Sequence, residues 1–239
     1  MKLTRIKAHY FYHVLSLLIF TCYCISCRQQ SSDKTPLPSS TPAKETTLLD
    51  TAAALAQADS LFMIGEQLIG QSKNGSALVF HYKALDLRIR ASKKNTKLTE
   101  SYFAVGRHYL EDLKYDMADQ FLEKARFHGD RSEKIDPSLY IEIYLSLADC
   151  KLNLMDIPSA FSLLNKVNIL IKNHFPDDKR LLSRAYRYHA AAHFNNHDYT
   201  HTIEYLERAV SVLPNSNHKA LAGLYNSIGF TYRESKDYV

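Results

Sequence analysis

Residues 102–125 read YFAVGRHYLEDLKYDMADQFLEKA. Tyr102, Val105, Gly106 and Tyr109 follow one another at steps of three, one and three, which is the spacing of one face of an α-helix. Charged residues interrupt the pattern at Glu111, Asp112 and Lys114, and Tyr115, Ala118, Leu122 and Ala125 then trace a second helical face. The stretch therefore reads as two amphipathic helices joined by a short turn, with a glycine on the buried face of the first.

The same ladder returns in register along the chain. Tyr144, Leu147, Ala148, Lys151, Ile157, Ala160, Leu164 and Val167 form the next copy, and Tyr186, His189, Ala190, His193, Tyr199, Thr202, Leu206 and Ala209 the one after it. A fainter copy precedes them at Leu61, Ile64, Gly65, Leu68, Ala77, His81 and Ala84. An incomplete copy ends the series at Tyr225, Ile228, Gly229, Tyr232 and Tyr238. One amphipathic helix shows such spacing by chance, but four complete copies in register do not. Gly106 and Ala148 are expected where two helices cross closely, with Ala118 and Ala160 facing them. Helices are expected near 50–71, 75–92, 98–111, 115–129, 138–153, 157–173, 178–195, 199–212 and 218–235. Asp136-Pro137 is a helix start by its chemistry, with aspartate as the cap and proline at the first position.

This ladder resembles the tetratricopeptide repeat. That family places a bulky residue at position 4, an aliphatic at 7, a small residue at 8, aromatics at 11 and 17, alanines at 20 and 27 and a bulky residue at 24. The second copy matches nearly all of these. The third departs at Lys151, and the fourth at His189, His193 and Thr202. Copies begin near Ala58, Thr99, Ile141, Ser183 and Ala222, so the period is longer than the family's usual value of about 34 residues. The resemblance covers residues 50–239. It implies an all-α superhelix of tandem helix pairs, four complete and a fifth partial. A capping helix would not need Gly229 or Tyr238, so the array is expected to be incomplete at its C-terminus.

The resemblance also implies a function. Stacked helix pairs curve, and the first helix of each pair lines the concave face, which in such arrays holds a protein or peptide. The family's groove positions are 2, 5, 9, 12 and 13. Position 5 falls on Phe62, Phe103, Leu145, Arg187 and Asn226, and position 12 on Ile69, Leu110, Leu152, Phe194 and Arg233. The groove expected from these is Phe62, Phe103, Leu110, Leu145, Leu152 and Phe194, with Arg107, Arg184 and Arg187 placed to meet a carboxylate. The alternative is that tight curvature buries the apolar members against the next first helix.

Ahead of the repeats the text changes. Lys2, Arg5 and Lys7 precede an apolar stretch from about Phe11 to Ile25, the order of a secretory signal. The stretch is short for a spanning helix, which needs about 20 apolar residues. Ile25-Ser26-Cys27 resembles the end of a bacterial lipoprotein signal, which implies lipidation of Cys27. A plain cleaved signal and an uncleaved anchor are the alternatives. Residues 28–49 are rich in Ser, Thr, Pro and Gln and read as a flexible tether. Residues 1–27 are thus expected to be a signal segment, and the body is expected to be lipid-anchored at a bacterial cell envelope. Exported arrays with a period near 40 also resemble the sensory regions of certain sensor histidine kinases and regulators, so the two functional readings are a free-standing binding scaffold and a sensory portion of a larger receptor.

Catalysis is not expected. The chain has no phosphate loop, no dinucleotide fingerprint and no nucleophile elbow, and no cofactor is implied. The net charge of +5 is not clustered, and three of its cations lie before the apolar stretch, so no nucleic acid is expected. Seven glycines and seven prolines in 239 residues, with 46% hydrophobic residues, fit long helices. Cys150 is the one cysteine outside the leader and is expected to be structural. His189, His193 and His197 are spaced to share one helix face, with His201 after the turn. Because His189 and His193 occupy ladder positions, packed histidines and no metal are expected.

Overall fold

Asp136 and Pro137 begin a helix as their chemistry dictates: the aspartate accepts from the amides of Ser138 and Leu139 at 3.4 and 3.1 Å, and the proline occupies the first turn. The computed structural model describes residues 51–91 and 97–236. Among these are nine α-helices: α1 (Thr51–Gly70), α2 (Asn74–Ala91), α3 (Leu98–Glu111), α4 (Tyr115–Gly129), α5 (Pro137–Asn153), α6 (Ile157–His174), α7 (Lys179–Asn195), α8 (Tyr199–Ser211) and α9 (His218–Lys236). Each lies within a residue or two of its expected span. The signal segment, Cys27, the tether and Tyr238 lie outside the described residues. No described helix is long and apolar enough to cross a membrane.

The pairs are α1–α2, α3–α4, α5–α6 and α7–α8, with α9 packed on α8. Each pair closes in the same way. The residue after the first helix's cap enters the left-handed region: Ser72 at φ 59°, Leu113 at 59°, Met155 at 60° and His197 at 57°. The next amide then reaches back five residues, from Lys73 to Leu68, Lys114 to Tyr109, Asp156 to Lys151 and Asp198 to His193, at 2.9 Å in every case. This is the Schellman closure that satisfies the carbonyls left free at a helix end.

Within a pair the small residue on the first helix meets the bulky residue on the second. A Cβ added at Gly106 would lie 2.8 Å from Leu122 Cδ2, and one at Gly65 would lie 2.3 Å from the His81 ring. The expected partner of Gly106 was Ala118. The helices instead cross one turn later, at Leu122, because a small residue on one helix leaves a recess that a large residue on the other fills. Leu122, Leu164, Val167 and Ala125 are fully buried; burying a leucine side chain stabilises by roughly 1.5–3 kcal/mol. Departures from the ladder are each partnered. Lys151 Nζ meets Asp119 at 2.7 Å. His189 bonds Asn168 at 2.9 Å and stacks on Tyr205. Thr202 Oγ1 donates to the Asp198 carbonyl at 2.8 Å.

First helices also touch the first helices of neighbouring pairs, α3 with α5 and α5 with α7. The array is therefore tighter on that side, and this is its concave face.

Candidate functional site

The concave face divides into a closed part and an open part. Phe103 is 7% exposed, Leu145 0% and Leu152 4%, so three residues of the expected groove belong to the core. Phe103 packs with Ile143 and Leu147 of α5, and Leu145 and Leu152 join the cluster that α7 completes. The close approach of successive first helices is what seals them. Phe62 is half-buried, with its ring 4.9 Å from the His81 ring and 4.8 Å from the Arg88 guanidinium. Leu110 is half-buried beside the core. Arg107 lies 3.8 Å from Glu111 on its own helix.

The open part lies between α5, α7, α8 and α9, where a cleft of about 810 Å³ is present. Arg184, Arg187 and Phe194, expected groove residues, line it together with Asn226, the position-5 residue of the last copy. Position 9, carried onto the later copies, supplies Asp149, Ala191 and Phe230, and all three line the cleft as well. Phe194 and Phe230 form an apolar wall with ring centroids 5.6 Å apart, and Phe230 remains 45% exposed. Phe230 and Asp149 are legible from the groove register, at position 9, whereas Tyr188, at position 6, is not.

Charge in the cleft is of both signs. Arg184 makes a two-pronged pair with Glu142 at 2.7 and 2.5 Å. That bonding holds its proton more firmly than usual despite burial. Arg187 is exposed and forms no ion pair among the described residues. Burial raises the Asp149 carboxyl above its ordinary range, against the bond it accepts from Asn153 at 3.2 Å. Burial, then the Asp149 charge, raises the Tyr188 hydroxyl. Asn195 reaches the Leu152 carbonyl at 3.3 Å and ties α7 to α5 along the floor. A recess of about 260 Å³ with Glu142, Phe175 and Asp178 shares Arg184 with the cleft.

The remaining candidates separate. Cys150 is fully buried, donates to the Tyr115 carbonyl at 3.1 Å and has its thiol pushed up to about 12 by burial. A thiol so held is not a nucleophile. The three-histidine face does not form, because α7 stops at Asn195. His197 sits in the left-handed turn and faces Tyr199, and His189 is sealed against Asn168.

Solved structures share this architecture. BtubC from P. vanneervenii superposes with a TM-score of 0.61 at 15% identity, over 81% of this chain and 86% of that one. Nearly identical TPR-like repeats of the kinesin light chain type from Podosopora anserina superpose with a TM-score of 0.62 at 14% identity, over 76% of this chain and 88% of that one. No sequence-family model and no curated protein matches the chain. The repeated helix pair, the small-against-bulky crossing and these superpositions together assign the chain the tetratricopeptide-repeat fold, an all-α superhelix.

Proposed function

We propose that the chain is a non-enzymatic scaffold that binds a protein or peptide segment in the α5–α7–α9 cleft. The observation that carries this is Arg187: an exposed cation at a groove position, without an ion pair among the described residues, beside an apolar wall of Phe194 and Phe230. The arrangement suits a segment that brings a carboxylate to Arg187 and an apolar side chain to the two rings. Asn195 and Asn226 supply amides that can pair with an extended backbone. The apolar first helices of the earlier pairs serve to hold the curvature and do not touch the partner.

We further propose that this scaffold works at a bacterial cell envelope, tethered through residues 28–49 to a lipid on Cys27. The support is the order of basic, apolar and Ser-Cys sequence at the start of the chain. A fatty-acid probe should label the wild type in cells and not Cys27→Ser; equal labelling would exclude this site.

The binding reading is tested with photo-crosslinking residues placed at Ala191 and Ser227 in the cleft and at Lys166 and Glu207 on second helices. Capture at the cleft positions, abolished by Arg187→Glu with an unchanged melting midpoint, is the expected result. Equal capture from Lys166 and Glu207 would move the binding surface to the convex side and overturn the proposal.

A further inference from the structure

The turn that joins α7 to α8 gathers three metal-ligating side chains. His193 lies in the last turn of α7, Asp198 caps α8, and His201 lies in the first turn of α8. Asp198 Oδ2 is 3.1 Å from His193 Nδ1 and 2.7 Å from His201 Nδ1. One ligand atom from each residue lies within 4.8 Å of the other two. We propose that these residues bind a divalent transition ion of the zinc type, clamping the turn of the fourth pair.

The donor set decides the class of ion. Two imidazole nitrogens and one carboxylate oxygen are the ligands of zinc and its neighbours. Calcium takes six or more oxygens, and magnesium keeps an octahedral shell of oxygen and water. Zinc bonds of about 2.0–2.2 Å place neighbouring tetrahedral ligands roughly 3.3–3.5 Å apart. The distance from Asp198 to His193, 3.1 Å, falls short of this by a few tenths of an ångström, and the distance to His201, 2.7 Å, by about 0.6–0.8 Å. The two nitrogens approach to bonding range by rotation of His201, which is exposed. Its exposure also leaves the fourth position of a tetrahedron to water or an incoming ligand.

The frame around these atoms is fixed. Asp198 N donates to the His193 carbonyl at 2.9 Å, which closes the turn. The other carboxylate oxygen, Oδ1, accepts from the His201 amide at 3.2 Å and so orients the carboxylate. The His193 ring stacks on Tyr205 at 5.2 Å and meets the edge of Phe161 at 4.8 Å.

Capping does not account for the histidines. In the third pair Asp156 holds the same place and caps Ser159 at 3.3 Å. There the residues equivalent to His193 and His201 are Lys151 and Ser159, and Lys151 turns away to Asp119. The cap aspartate is thus common to both pairs, and the two imidazoles are peculiar to the fourth. The place has a consequence, since Phe194, Asn195 and Thr202, next in sequence to the ligands, line the cleft.

The test titrates zinc into the full chain after chelation, by calorimetry and by thermal unfolding. One equivalent should bind and raise the melting midpoint, because an ion that binds only the native state stabilises it. His201→Gln, at an exposed position, should melt as the wild type does without metal and should lose the zinc-dependent rise. Asp198→Asn should weaken binding by about tenfold or more. His197→Gln, in the same turn but outside the cluster, should behave as the wild type. An equal zinc response in the wild type and His201→Gln overturns the proposal, as does a wild type whose midpoint zinc leaves unmoved.

Discussion

His81 Nδ1 and His108 Nε2 lie 2.9 Å apart with both rings buried, joining the second helix of the first pair to the first helix of the second. Such a bond needs one nitrogen protonated and the other bare, and it has no place for a second proton.

This pair makes stability depend on pH. Burial, then the neighbouring His108, lowers the His81 pKa to about 4, although Glu66 Oε1 stands 3.2 Å from its other nitrogen. Burial also lowers His108, and lowers His189 to about 4. The unfolded value is about 6.5. Between these limits the unfolded chain binds protons that the folded chain refuses, so stability is complete above about pH 6.5 and is lost as pH falls toward 4. Each such histidine contributes a slope of up to about 1.4 kcal/mol per pH unit. Urea midpoints measured at pH 7, 6 and 5 should fall steadily; a flat profile would show that the rings are charged in the fold.

Gly106 and Gly229 occupy the same repeat position and should answer oppositely to substitution. A Cβ at Gly106 would stand 2.8 Å from Leu122 and 3.2 Å from its backbone nitrogen, whereas one at Gly229 meets nothing within 4 Å. Gly106→Leu should destabilise by about 1–3 kcal/mol through overpacking. Gly229→Ala should stabilise by about 0.5–1 kcal/mol, since a mid-helix glycine only adds disorder to the unfolded chain. Denaturant midpoints of both variants decide it, and the same sign in both would mean that the crossing is wrongly placed.

The left-handed turns carry side chains that gain nothing there. Leu113 is 63% exposed and Met155 65%, at φ 59° and 60°. Leu113→Gly and Met155→Gly should each stabilise by about 0.5–1 kcal/mol, relief of the left-handed conformation outweighing the glycine's extra freedom when unfolded. Calorimetric midpoints that fall in both variants would disprove the turn geometry.

Cys150 should resist alkylation in the folded chain. Its thiol is buried and pushed up to about 12, so almost none is thiolate at pH 8. Peptide mapping after iodoacetamide should find Cys150 unlabelled natively and labelled in urea. Native labelling at a rate near that of a free thiol would contradict the burial.

The helices were legible because each carries its own evidence: a face of apolar residues, an Asp-Pro start at Asp136-Pro137, a small residue at Gly106. The fate of the groove residues was not. Phe103 and Arg187 hold the same position in their copies, yet one is core and the other lines the cleft. What separates them is how closely neighbouring first helices approach, which no short stretch of sequence encodes. The histidines were legible in part. His189 is packed against Asn168 and Tyr205 as its ladder position implies, and because the first helix ends at Asn195, as expected, the spacing of His193 and His197 puts them on no common face. His193 and His201 therefore meet across a turn, and His189 and His197 drop out.

The identical turns at Leu113, Met155 and His197 make the polypeptide commensurate with its own architecture. Excising residues 114–155 would join Leu113 to Asp156, so a left-handed residue would still lead into a residue that begins a second helix, and Gly106 would come to face Leu164 where it had faced Leu122. A cut that does not run from one such turn to another would put the seam out of phase and set a polar face where the core requires an apolar one. The length of this molecule is thus free to change in whole periods, with each remaining period keeping the backbone it already has.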